Sequence, residues 1–355
     1  MQDYQILRPL RDQLCNDLLS LTLEFGPTFP VKQEEVDKSR IVGASDFSSC
    51  YPDLDVLCHY TNATGLEGII NSGTFWATNV ACLNDPKEFR FAYEAFEGMI
   101  SQGDYALDRT LVGAFLNGLQ TGGHDYEVER TFIISFSSRR DDLSQFRLYS
   151  DDACGYALEF KPCELINALN NYLEHSSGEY FTLRRVRYGE AELAPFHARA
   201  ISALKSCINQ LPYPVSSGKF LSAVRAFGMD FQEYLREAGV FFKQAGYKDE
   251  EEYRVILDVP GLLFVLPTYL DDKRAVRNKG KLSLTYIPFQ FLPDPKEQGC
   301  FVNHDNSAGL ARIVVGPGLD FNLAQKELDC LLRRKELHKV VNIQHSQHLY
   351  RSLRV

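Results

Sequence analysis

Strand-like runs and helical stretches are interspersed along this chain without a clean βαβ rhythm, and that order limits the folds open to it. Thr131-Phe132-Ile133-Ile134-Ser135-Phe136-Ser137 is rich in aromatic and β-branched residues, and Gly155-Tyr156-Ala157-Leu158-Glu159-Phe160 is of the same kind. Residues 75–78, 181–188, 252–259 and 282–287 read as further strands. The end reads strand, helix, strand over residues 312–315, 323–337 and 340–343. Helices are expected where apolar side chains recur at helical spacing, as at Leu7, Leu10, Leu14, Leu18 and Leu21. A short helix over 64–72 has Thr64 as its expected N-cap and Gly73 as its stop. Asp85 and Pro86 suit another helix start. A mostly helical stretch over 191–246 is broken near Pro212-Tyr213-Pro214. The class expected is α+β rather than a doubly wound parallel sheet. Residues 1–53 read as an N-terminal helical arm, and 54–352 as one catalytic-type domain with a helical insertion at about 190–246.

Nine cysteines are scattered with no C-x-x-C pair, which argues against a disulfide framework and a structural zinc site. His345-Ser346-Gln347-His348 lacks the spacing that puts two imidazoles on one helical face, and no metal is expected. The net charge of −9 does not favour nucleic-acid binding through the overall field. The basic runs Arg184-Arg185-Val186-Arg187 and Arg333-Arg334-Lys335 read as solvated faces. No apolar run is long enough to span a bilayer, and the first residues lack a basic then apolar leader, so a cytoplasmic protein without membrane partners is expected. Phosphate-binding glycine motifs and the G-x-S-x-G elbow are absent from the sequence.

Four segments set polar residues beside aromatic and β-rich ones. They are His59-Tyr60-Thr61, Asn84-Asp85-Pro86-Lys87-Glu88-Phe89, Ser135-Phe136-Ser137 with Phe146-Arg147-Leu148-Tyr149, and Glu250-Glu251-Glu252-Tyr253-Arg254. In this order they resemble a widespread bacterial family known as a domain of unknown function. Its pattern is H-Y-T, N-D-P-x-E-F, S-F-S, W-R-x-Y and E-x-E-[WY]-R; Phe146 stands where that pattern has Trp. The resemblance extends over about residues 54–352, with Val314-Val315-Gly316-Pro317 and Leu349-Tyr350-Arg351 also family-like.

The same segments are similar in type and order to those of ADP-ribosyltransferases of the His-Tyr-Glu class. That likeness implies a split mixed or antiparallel β core, with the helical insertion and an αβ C-terminal extension added. It implies NAD as substrate, a macromolecular acceptor (protein, RNA or DNA), and a role as a toxin or anti-phage effector. On it, His59 holds a ribose with Thr61 nearby, and Tyr60 or Tyr149 stacks on nicotinamide. Asn84 joins the cofactor-binding set, Arg147 pairs with the pyrophosphate, and Ser135 and Ser137 orient the second ribose or the carboxylate. Glu252 is the expected catalytic carboxylate, with Glu250 the second; both would share one strand face if the strand already started there, with Arg254 keeping Glu252 ionised. Two other functions fit the same residues: NAD hydrolysis with water as acceptor, and a non-catalytic nucleotide-binding or sensor module.

Overall fold

The computed structural model describes residues 2–26, 51–83, 89–102, 104–121, 131–174, 180–258, 274–279, 282–291 and 307–350. In chain order the elements begin with α1 (Gln2–Leu23), β1 (Leu57–Thr61), α2 (Ala63–Ser72) and β2 (Thr74–Asn79). Next are α3 (Phe91–Ser101), α4 (Arg109–Thr121), β3 (Thr131–Ser137), α5 (Leu143–Tyr149), β4 (Tyr156–Phe160) and α6 (Pro162–Glu174). Then come β5 (Tyr180–Arg185), β6 (Arg187–Tyr188), α7 (Glu190–Asn209), α8 (Gly218–Asp230), α9 (Gln232–Phe241), β7 (Phe242–Lys243) and β8 (Glu252–Asp258). The described chain closes with β9 (Ala275–Lys279), β10 (Leu282–Gln290), β11 (Leu310–Val315), α10 (Phe321–Arg334) and β12 (Asn342–His345). It is a mixed α and β protein with both parallel and antiparallel strand pairs.

The chain divides into two compact units, where the sequence suggested an arm and one domain. The first comprises Met1–Thr28, Asn79–Thr131 and Arg184–Asp249. It is helical: α1 packs on α7, α8 and α9, because Leu14, Leu18 and Leu21 form an apolar stripe that needs cover. Arg11 ties α1 down by donating from Nε to both carboxylate oxygens of Asp230, at 3.1 and 2.9 Å. Of the supposed arm, Met1–Thr28 thus belongs to one body with the helical insertion. Helices α4 and α8 cross at Gly118 and Gly228, where a Cβ would stand 1.8 Å from Arg225 O and 2.1 Å from Phe115 O, respectively. The basic run is not a solvated face at Arg184, which is buried, donates to Thr22 O and lies over the Phe241 ring.

The second unit comprises Phe29–Thr78, Phe132–Leu183 and Glu250–Val355. Among the described residues its ten-stranded sheet runs β12-β11-β4-β1-β3-β2-β10-β9, with β8 joining β3 to β5. One face carries the main core. Leu57, Phe75, Phe132, Ile134, Phe136, Tyr253, Val255 and Ile287 meet side chains of α2, α6 and α10 there. Period-two alternation sends their strand neighbours to the other face, where Cys58 and Tyr60 pack on Phe146 of α5. The C-terminal strand–helix–strand forms as expected, with β11 and β12 parallel. Helix α2 stops at Gly73 as expected (φ 67°), but its N-cap is Asn62, whose Oδ1 accepts from Gly65 N at 2.8 Å, rather than Thr64. The strand expected over 181–188 is interrupted at Val186. No described helix is long and apolar enough to cross a membrane.

Candidate functional site

The described site residues belong to the second unit, on β1, β3, α5 and at the start of β8. A strand has two edges, yet β3 pairs with β1, β2 and β8, so two of these partners share one edge and the sheet splits there. Strand β1 meets β3 at Cys58↔Ser137, and two residues back along β3 the Ser135 carbonyl receives the His59 side chain.

His59 Nδ1 lies 3.0 Å from Ser135 O. A carbonyl only accepts, so Nδ1 carries the proton and Nε2 of the neutral ring keeps a lone pair. Nε2 makes no hydrogen bond among the described residues. The ring stands edge-on to Phe75 and Phe136, with centroids 5.3 and 5.8 Å away. Burial holds the imidazole pKa below its ordinary value and the Arg277 charge adds to that, while the bond to Ser135 opposes it. His59 is thus a half-buried neutral imidazole whose Nε2 is an acceptor.

Tyr60 does not offer a stacking face. Its ring is packed edge-on to Phe146 at 5.0 Å, its Oη donates to Arg139 O at 2.7 Å, and it accepts from Asp142 N at 3.0 Å. Strand alternation turns it toward α5, which makes it a brace for the loop that starts that helix. Burial raises its phenol pKa. Thr61 is half-buried at the end of β1. Asn84, with Asp85 and Pro86, lies outside the described residues.

Ser135 and Ser137 point to the face opposite the main core, since Phe132, Ile134 and Phe136 take the other. Ser135 is exposed in a strand whose other residues are buried. Ser137 is buried, donates from Oγ to Glu250 O at 2.6 Å and accepts from Arg139 N at 3.1 Å. It therefore fixes the backbone that carries the glutamates.

Glu250, Glu251 and Glu252 do not form one extended run. Glu250 ends a short 3-10 turn, Glu251 has φ 42°, and the strand starts only at Glu252. The left-handed residue breaks the alternation on which a shared strand face depended. Glu250 is buried, and its Oε1 accepts from Tyr149 Oη at 2.5 Å. Glu251 accepts from Ser138 Oγ at 2.8 Å. Glu252 is buried and held by a two-point fork, with Arg254 Nε to Oε1 at 2.8 Å and Nη2 to Oε2 at 2.9 Å. The sequence expectation that Arg254 pairs with Glu252 matches this geometry. Burial pulls Arg254 down to about 9, still cationic at neutral pH.

Strand alternation puts the His59 ring on the core face and Glu252 on the opposite one, whereas the enzyme likeness sets both across one cleft. Ser135 links the two sides, through its carbonyl to His59 and through an exposed side chain on the Glu252 side. Arg147 and Tyr149 are exposed on α5. Arg147 is held 3.5 Å from Asp152 Oδ1, with its guanidinium 5.4 Å from the Tyr350 ring centroid.

Sequence reasoning missed Arg139, Asp142 and Arg277. Asp142 caps α5 by accepting from Gln145 N at 3.0 Å and takes an ion pair from Arg139 Nε at 2.8 Å. The cap was readable from Asp142 standing just before an apolar helical run; the approach of Arg277 was not, because it lies far from His59 in sequence.

Residues 145–255 match the model of the DUF2971 family. The family is described as "Protein of unknown function (DUF2971)". The DUF2971 match takes in Arg147, Tyr149, Glu250, Glu252 and Arg254, while His59, Tyr60, Thr61, Asn84, Ser135 and Ser137 precede it. No curated protein and no solved structure matches the chain. Among the described residues no group of His, Cys, Asp and Glu side chains is arranged to hold a metal ion.

Proposed function

We propose that the second unit binds NAD at the split beside β3 and transfers its ADP-ribose group to a macromolecular acceptor, as a toxin or anti-phage effector would. The observation that carries this reading is the neutral His59 ring, whose Nδ1–H is spent on Ser135 O and whose Nε2 is left to accept from a sugar hydroxyl. In the transfer the bond between ribose C1′ and nicotinamide nitrogen breaks. Its electron pair goes to the ring, which leaves neutral, while the acceptor's nucleophile bonds to C1′ and loses a proton. The sugar passes through an oxocarbenium-like state, as in glycoside cleavage. An ionised carboxylate held in a fixed place stabilises that charge, and the Arg254 fork holds Glu252 in place.

A second reading is a nucleotide-binding or sensor module without catalysis. The prior engagement of both buried carboxylates, Glu252 by Arg254 and Glu250 by Tyr149, favours it. Incubation with NAD labelled on its adenylate phosphate, with cell lysate as acceptor source, separates the readings. Label on a macromolecule with equimolar nicotinamide release supports transfer, and free ADP-ribose alone supports hydrolysis. Saturable NAD binding with no nicotinamide release supports the module. Absence of NAD binding by the folded chain sinks all three.

A further inference from the structure

Helices α2 and α10 pack against each other over β4 and leave a cleft of about 350 Å³ between them. Lys335, just past α10, donates from Nζ to Asn71 O at 2.6 Å and ties α10 to the last turn of α2. Leu66 of α2 and Leu328 and Leu331 of α10 give the cleft an apolar lining, and Tyr156 of β4 reaches it from the sheet.

Tyr156 is 6% exposed, and among the described residues its Oη makes no hydrogen bond. A buried phenol is normally partnered, because burial strips its water. Tyr60, a buried tyrosine on the opposite face of the same sheet, has its hydroxyl filled in both roles, by Arg139 O and Asp142 N. The Tyr156 hydroxyl instead meets the cleft. Burial raises its pKa and the Glu327 charge adds to that, so phenol and carboxylate lie close together.

Glu327 of α10 and Glu67 of α2 both line the cleft, and neither forms an ion pair among the described residues. Arg334 turns back along its own helix, with Nη2 3.9 Å from Cys330 Sγ. Unpaired carboxylates and a phenol oxygen beside leucine side chains match an ammonium carried on an apolar body. The carboxylate supplies the charge, the phenol a second acceptor, and the leucines cover the rest.

We propose that this cleft binds a small primary amine with an apolar body, its ammonium held by Glu327 and Tyr156 Oη and its body by Leu66, Leu328 and Leu331. The site is independent of the nucleotide reading, which uses none of these residues.

The full chain is titrated by calorimetry with phenethylamine, 2-phenylethanol and 3-phenylpropanoate, which share a ring and differ in charge. Phenethylamine is expected to bind in the roughly millimolar range, the scale for so small a ligand. It should bind about tenfold more tightly than the other two, the scale of one charge-assisted hydrogen bond. Glu327→Gln, at an exposed position, should abolish the preference for the amine and leave alcohol binding unchanged. Tyr156→Phe, which keeps the ring, should weaken amine binding. Phenethylamine should also slow alkylation of Cys330 by iodoacetamide, with exposed Cys15, outside the cleft, as the control. The proposal is overturned by the absence of saturable phenethylamine binding, by equal binding of the three probes, or by an amine preference intact in Glu327→Gln or Tyr156→Phe. Unchanged Cys330 alkylation at saturating amine overturns it as well.

Discussion

The imidazole of His59 donates from Nδ1 to the carbonyl of Ser135 at 3.0 Å, across 76 residues of sequence, from β1 to the strand β3 that pairs with β1, β2 and β8. That bond sets the tautomer of His59, stations its ring against Phe75 and Phe136, and leaves Nε2 as an acceptor. Burial depresses its pKa, so between the folded value and the ordinary value of about 6.5 the unfolded chain binds a proton that the folded chain does not. The stability from neutral His59 is complete above that range and falls as pH drops through the folded pKa. An NMR titration of the His59 ring should show a midpoint below that of an exposed histidine. A midpoint above it contradicts the neutral acceptor.

Replacing His59 by Ala removes this bond and opens space beside two phenylalanines. A loss of about 2–4 kcal/mol is expected in urea unfolding, from a lost hydrogen bond plus a partly filled cavity. His59→Asn, which can still donate to Ser135 O, should recover some of it. Equal losses in the two variants would mean the bond adds little.

Glu252 and Arg254 form a buried pair whose members depend on each other. Removing one partner strands a charge, so Arg254→Met or Glu252→Gln alone should cost about 3–5 kcal/mol, with Glu252→Gln at the lower end because its amide keeps hydrogen-bonding atoms. The double variant should be less destabilised than the sum. A double-mutant cycle of unfolding free energies measures the coupling, and strict additivity refutes it.

Tyr149 reaches Glu250 from α5, the helix capped by Asp142. Tyr149→Phe leaves the ring and removes the donor to a buried carboxylate oxygen. A cost of about 1–3 kcal/mol is expected. Because Tyr149 is itself exposed, an unchanged melting curve would show that water replaces the donor.

In the helical unit, buried His197 bonds Tyr234 Oη and Ala92 O, and burial pulls its pKa to about 4. Its folded value lies below its unfolded one, so its contribution is whole above about 6.5 and is lost as pH falls toward the folded value. His197→Phe should flatten the decline of melting temperature over that window; an unchanged slope assigns the decline to other groups.

Sequence patterns located most elements because local chemistry decides them. The run from Thr131 to Ser137 forms β3 with the expected bounds, and Gly73 stops α2 because glycine accepts the left-handed turn. The pairing of Arg254 with Glu252 was legible for the same reason, since period-two spacing sets two side chains on one strand face. Pattern failed at Glu250, where a left-handed Glu251 that no local signal announces ends the alternation. It failed at Tyr60, whose ring is claimed by Phe146, and at α1, whose stripe is covered by helices some two hundred residues away. What the sequence by itself determined is which segments become strand or helix. The tertiary structure alone decided that Ser135 holds His59, that β3 has more partners than edges, and that Arg277 comes to lie over Trp76. Those facts follow from strand pairing between distant segments, which periodicity within a segment does not encode.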